Sequence, residues 1–392
     1  MKRILIVAII AAALFAYLEY SPKVEVKVEN KLSINDISLV KDGSVWKFES
    51  SPEIPVNQST AGAVISTVES IDFEDPLEGI TLPEPVSLRA KIDEKDLTFG
   101  KENEYLSKTY LRYDDKIYLV PNFISKSLDK KFDDFREKKL IKAFPGDLKS
   151  FTLKKGSEGV VLAKVDNWRL TEPVSAKASE SAVREVLSEI RDLSADEIIF
   201  DMEINDPDLE IELVKNDDSK SIIKIKKVDE AVSKSGDEPV YFSVSDYKFI
   251  AKTKPNPTDR IFKPVKEFRE KELFTFASSL VKRLEVSGSH SVLIEKTENG
   301  FTVNGKEGDT TFINEYLNSL SELSAADFPS SSAPTDELKF TLVLNDDSQK
   351  ILEIGRFHDK GRMAKSGDEL FIISEDSYKR ITPRLEQLLP AK

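Results

Sequence analysis

Cysteine is absent from the 392 residues and histidine occurs twice, at His290 and His358, so nucleophile and metal chemistry have few places to start. His290 stands in Ser287-Gly-Ser-His-Ser291, where a serine beside an imidazole suggests an activated nucleophile. The nucleophile elbow needs Gly-x-Ser-x-Gly on a strand-to-helix turn. Here the segment joins two strand-like runs and reads as a hairpin turn. His358, in Phe357-His-Asp-Lys-Gly361, has no nearby His or Cys to complete a metal site and reads as a loop residue. Asp217-Asp218 and Asp346-Asp347 suggest calcium, but an EF-hand loop needs alternating oxygen ligands, a central Gly and a distant Glu. Both pairs sit at matched turns between strand runs, and Asp114-Asp115 reads as a third turn. Neither phosphate-cradling glycine loop occurs, and most of the 15 glycines fall in expected turns. Carboxylate pairs for acid–base work meet in space rather than in sequence. The residues therefore name no catalytic group, cofactor site or metal site, and the expectation is a protein that is not an enzyme.

The elements that would position these residues recur. Ala182, Val183, Val186, Leu187, Ile190 and Leu193 form the apolar comb of an amphipathic helix. The comb returns at Phe312, Ile313, Tyr316, Leu317, Leu320 and Leu323, and more weakly at Thr60, Ala61, Val64, Ile65, Val68 and Ile71. An aromatic in a strand-like run precedes each helix: Trp46, Trp168 and Phe301. These read as core plugs; the competing reading is an exposed platform for ligand stacking. Phe135-Arg-Glu-Lys-Lys-Leu140 is echoed by Phe268-Arg-Glu-Lys-Glu-Leu273, and Lys234-Ser-Gly-Asp-Glu238 recurs unchanged at Lys365 to Glu369. The spacing, about 120 to 130 residues, far exceeds solenoid periods and lets each unit bury its own core.

Within a unit the pattern predicts a hairpin, a short strand, the helix, a three-stranded meander and a second helix. Asn122 to Leu140 is the clearest case of that second helix. The expected class is α+β: three tandem repeats, each an antiparallel sheet with two helices, following one N-terminal transmembrane helix. The corresponding boundaries are 1–21 for a membrane anchor and 24–140, 141–270 and 271–392 for the units.

The anchor expectation rests on Met1-Lys2-Arg3 followed by an uncharged run from Ile4 to Leu18, with Tyr17 and Tyr20 at its far end. A cleaved signal is the alternative. Lys2 and Arg3 would hold the N-terminus in the cytoplasm, giving a single-pass inner-membrane protein whose bulk is periplasmic. A net charge of -13 without a long basic stripe disfavours a nucleic-acid partner.

The run from Phe135-Arg-Glu-Lys-Lys-Leu140 through Trp168-Arg-Leu-Thr-Glu-Pro173 and the following helix resembles the bacterial family catalogued as domain of unknown function 4340. The likeness covers most of the chain after residue 100. It implies an extracytoplasmic auxiliary protein encoded beside gliding-motility-type ABC transporter subunits, with the permease and related extracytoplasmic subunits as partners. It supplies no catalytic residues. The expected function is that of a membrane-anchored accessory or scaffold subunit of an ABC-type transport or gliding-type machinery, docking proteins without catalysis. The alternative is an independent module binding envelope glycan or another ligand.

Overall fold

The computed structural model describes residues 29–73, 75–228, 238–289, 291–329, 336–358 and 361–390. The chain divides into two compact units, one ending at Leu140 and the other starting at Ile141. Among the described residues the first holds one sheet and the second holds two.

The first sheet contains β1 (Lys31–Ile34), β2 (Ile37–Asp42), β3 (Val45–Phe48), β4 (Leu88–Ile92), β5 (Lys95–Asn103), β6 (Lys108–Tyr113) and β7 (Lys116–Pro121), in the order β3-β2-β1-β4-β5-β6-β7. The second contains β8 (Leu148–Lys155), β9 (Glu158–Lys164), β10 (Trp168–Glu172), β11 (Ala176–Lys177), β12 (Glu197–Ile199), β13 (Leu209–Lys215), β14 (Lys220–Lys227), β15 (Val240–Val244) and β16 (Ile250–Thr253). Its order is β11-β10-β9-β8-β13-β14-β15-β16-β12. The third contains β17 (Val281–Gly288), β18 (Val292–Thr297), β19 (Gly300–Val303), β20 (Lys306–Glu307), β21 (Asp336–Leu344), β22 (Gln349–His358), β23 (Gly361–Ser366) and β24 (Glu369–Ile373), in the order β20-β19-β18-β17-β21-β22-β23-β24.

One plan governs all three. A meander ends at an edge, a helix follows it in sequence, and a second meander starts against the first strand of the first. The joining pairs are buried: Ile34 opposite Ala90, Leu153 opposite Ile211, and Leu284 opposite Leu342. An unpaired first strand offers a row of backbone groups, and the second meander satisfies them.

The long helices are α1 (Gln58–Glu69), α4 (Glu180–Arg191) and α7 (Thr310–Ser321). Their buried stripes are Ala61, Val64 and Val68; Val183, Val186, Leu187 and Ile190; and Ile313, Tyr316, Leu317 and Leu320. In the third sheet unit, the α7 stripe shares a core with Leu284, Leu342 and Leu352. Asn57, Ser179 and Asp309 cap these helices by accepting backbone N–H groups of the first turn.

The second helix of each unit departs from expectation. Each is two short pieces: α2 (Asn122–Leu128) and α3 (Phe132–Phe135), α5 (Thr258–Ile261) and α6 (Val265–Phe268), α8 (Glu375–Ile381) and α9 (Leu385–Leu388). Pro264 and Pro383 lack the N–H that a continuous helix would need at the break. In the first unit Asp129 leaves the helical region, and the Asp134 carboxylate restarts α3 by accepting the Lys131 N–H at 2.8 Å. Residues after Phe135 and Phe268 run extended: Arg136 bridges Val56, and Arg269 bridges Ala178. The last short helix closes back on the cap of the long one. The N–H groups of Asn57, Ser179 and Asp309 donate to the carbonyls of Phe135, Phe268 and Leu388 at 2.7, 2.8 and 2.9 Å.

The expected class is corrected accordingly. Among the described residues these are three broad antiparallel sheets of seven, nine and eight strands with one long helix each, not small sheets with two helices. Among the described residues no helix is long and apolar enough to cross a membrane, so the expected single-pass inner-membrane placement is not supported by them. The stretch 1–21, on which the anchor expectation fell, lies outside the described residues.

Asp93 turns the β4–β5 hairpin in a left-handed conformation (φ 48°) and accepts the N–H groups of Glu29, Asn30 and Lys31 at 3.0, 3.0 and 2.9 Å. Partial burial pushes its pKa up, but the three donors outweigh that and hold it below the ordinary value. A depressed carboxylate stabilises the fold above its unfolded pKa and stops doing so as pH falls through the folded one. The stability difference between wild type and Asp93→Asn should therefore be full above pH ~4 and shrink below it. Chemical denaturation across that range checks this; a difference that stays constant contradicts it.

Candidate functional site

Three sets of residues suggested chemistry or ligand contact in the sequence, and the geometry gives two of them structural roles. Trp46, Trp168 and Phe301 are buried, at 7%, 1% and 7% exposure. They form no stacking platform, so the ligand-binding alternative loses its aromatic support. Asp217 and Asp346 make the same turn, each accepting the backbone N–H (3.0 Å) and hydroxyl (2.6 Å) of the serine two residues on. Those serine contacts hold both carboxyls below the usual range. Asp218 and Asp347 take the left-handed position and pair with Lys149 and Lys282 at 2.7 and 2.5 Å. Asp114 and Asp115 are likewise left-handed turn residues. These oxygens serve backbone and lysine, with no convergence on a cation. Gly288 is required at the end of β17: its φ is +119°, and a Cβ there would collide with the backbone of Glu337. His290, and with it the serine–histidine reading, lies outside the described residues, as does the side chain of His358.

Two surfaces of the second compact unit stand out. At the junction of its two sheets, a cleft of about 540 Å³ is lined by Ser181, Lys263, Lys266, Arg269, Asp327 and Phe328 among others. The Arg269 guanidinium lies 3.8 Å from the Phe328 ring centroid and donates to Glu369 Oε2 (3.3 Å) and the Leu370 carbonyl (3.5 Å). Its Nε is buried without a hydrogen-bond partner among the described residues. Burial draws the Arg269 pKa below its ordinary value, with Glu369 pulling the other way. Glu369 also accepts the Lys177 N–H at 2.8 Å and faces Arg169 at 3.5 Å. The third sheet thus sends one carboxylate to three groups of the second. Both partners sit in repeated segments, Phe268-Arg-Glu-Lys and Lys-Ser-Gly-Asp-Glu369, and repetition was the only sign of them in the sequence.

The second surface is a groove of about 870 Å³ on the second sheet, lined by residues 201–205 and by outward-facing residues of β14 and β15. Met202 and Ile222 line it at 42% and 36% exposure, and Phe200 beside it is 43% exposed. Phe249 stacks with Tyr247 and Phe200 at 5.3 and 6.1 Å. Contiguous exposed apolar side chains of this kind mark contact surfaces. Among the described residues no group of three or more His, Asp or Glu is placed to hold a metal ion.

Sheets, closing helices and junction together define a tandem array of antiparallel-sheet units. The chain belongs to the family described as Domain of unknown function (DUF4340), whose model matches residues 46–210 and again 168–342. Each match begins on one of the two tryptophans, in the first meander of one sheet, and ends in the second meander of the next. The family's unit therefore straddles two sheets. No curated protein and no solved structure matches the chain.

Proposed function

We propose that this protein is a non-catalytic accessory subunit that docks other proteins, and that its partners are the permease and related subunits of an ABC-type transport or gliding-type machinery. The choice of partner follows the family resemblance. The observation that carries the docking reading is the groove beside β14 and β15, where Met202 and Ile222 lie exposed in a common hollow with exposed Phe200 next to Asp201 of its lining. An apolar segment of a transport subunit is its occupant. Tandem units on one chain raise the local concentration of several modest contacts, so none of them needs to be tight.

Affinity isolation of the tagged chain from gently solubilised cells tests this, with mass spectrometry identifying what accompanies it. The expected companions are an ATPase and a permease. Their yield should fall at least about tenfold for a Met202→Asp, Ile222→Asp variant, because burying an unpaired carboxylate in an apolar contact is costly. Isolation of the wild-type chain without transport subunits, or a variant that retains them fully, contradicts the reading.

A further inference from the structure

We infer that the groove between α7 and the α8–α9 pair binds an acidic peptide segment of a partner protein. This inference rests on the docking reading and specifies one of its surfaces.

The argument comes from comparing two copies of the same groove. In the second sheet unit, α4 carries Glu185 and Glu189 toward the α5–α6 pair. Arg260 Nε bonds Glu189 at 2.7 Å and Lys263 Nζ bonds Glu185 at 2.7 Å. That copy supplies its own anions. The third unit superposes on it by position. The long helices are equal in length from cap to end, Ile261 and Ile381 are both fully buried, and both caps bond the last short helix. In that register Arg380 replaces Arg260, but Ser319 stands where Glu189 was. Pro383 replaces Lys263, and Arg384 follows it in the place of Pro264.

The outcome is a groove of about 420 Å³ lined by Phe312, Glu315, Ser319, Lys379, Arg380 and Arg384 among others. Among the described residues neither Arg380 nor Arg384 forms an ion pair. Among the described residues Glu315 is the one carboxylate in the lining, set against three cations on a chain whose net charge is -13. Phe312, where the second unit has Ala182, is 51% exposed beside them.

Guanidinium forks match the planar carboxylate in shape and charge. In the sibling groove the cations of the short pair are met by carboxylates of the long helix itself, so cations at these positions are within reach of a carboxylate in the groove. Phe312 adds an apolar contact that a bare polyanion would not use. The occupant is therefore a peptide that alternates acidic and apolar side chains.

The test measures anisotropy of a short fluorescein-labelled peptide alternating Glu and Leu, titrated with the full chain, with a Lys-Leu peptide as control. The Glu-Leu peptide should bind, less tightly as salt is raised, and the Lys-Leu peptide should not. Arg380→Glu with Arg384→Glu should weaken binding at least about tenfold. Ser319→Glu restores the carboxylate seen in the second unit. It should close on Arg380 and compete with the peptide to a similar degree while leaving thermal unfolding unlowered, which separates occupancy from misfolding. Binding that is unchanged in both variants overturns the inference. So does displacement by heparin or phosphatidylglycerol vesicles at equal charge, which would make the groove a general polyanion site. If the Arg380→Glu, Arg384→Glu chain still co-isolates transport subunits undiminished, this groove is overturned while the docking reading stands.

Discussion

Trp168→Ala should lower the stability of the second compact unit by about 3–5 kcal/mol, the range for truncating a large buried aromatic. Trp168 is the largest fully buried side chain of the chain and packs edge-on against Phe151 at 5.4 Å. Its backbone is held as well: its N–H reaches Glu180 at the start of α4, and its carbonyl accepts the Ala178 N–H at 3.0 Å. With the backbone pinned from both sides, β10 cannot collapse into the space an alanine leaves, and poor collapse places the cost toward the upper end. Trp46 provides the internal contrast. It is slightly more exposed, and Gln58 clamps its backbone by accepting its N–H and donating to its carbonyl, both at 2.8 Å. Trp46→Ala should cost less and should leave the second unit unaffected. Urea unfolding followed by hydrogen exchange assigns each loss to its unit. A Trp168→Ala chain within about 1 kcal/mol of wild type would mean that the indole is not part of the core.

Removal of Glu369 should have the next largest effect and a different character. Its side chain is 19% exposed and that of Arg269 13%. Glu369→Ala takes the acceptor from a largely buried guanidinium whose Nε already lacks a partner, and from the Lys177 N–H on edge strand β11. Buried charges left without their partner cost several kcal/mol, and partial solvent access reduces this to about 2–3 kcal/mol here. Because Arg269 belongs to the second sheet's closing segment and Glu369 to β24, the loss falls on the contact between two sheets. Unfolding of the second compact unit should separate into two steps. Arg269→Met combined with Glu369→Leu should recover most of the loss, since replacing both partners removes the unpaired charge. A single cooperative transition in Glu369→Ala, shifted by less than about 0.5 kcal/mol, would show that the sheets hold together without this carboxylate.

What could be read from the sequence was local. The three long helices announced themselves through combs such as Val183, Val186, Leu187 and Ile190, because a 3.6-residue period needs only neighbouring residues to be visible. The paired turns at Asp217 and Asp346 were legible for the same reason. The width of the sheets was not. Pairing β1 with β4, or β17 with β21, joins segments separated by a whole helix, and no local pattern encodes it. The second helix was misread because Phe123, Leu128, Phe132 and Phe135 fit a helical spacing, yet Phe123 and Phe132 are exposed at 57% and 39%. Pro264 and Pro383 were the correcting signal in the sister units. The Arg269–Glu369 contact spans 100 residues, beyond the reach of any spacing rule.

The bond from each helix cap to the end of its own unit bears on synthesis. The N–H of Asn57 waits for the carbonyl of Phe135, that of Ser179 for Phe268, and that of Asp309 for Leu388. A ribosome adding roughly 5–20 residues per second takes several seconds to deliver each partner. During that interval the long helix is made but not yet latched, so each unit is closed only when the last turn of its own segment leaves the exit tunnel, and the nascent chain locks in discrete steps.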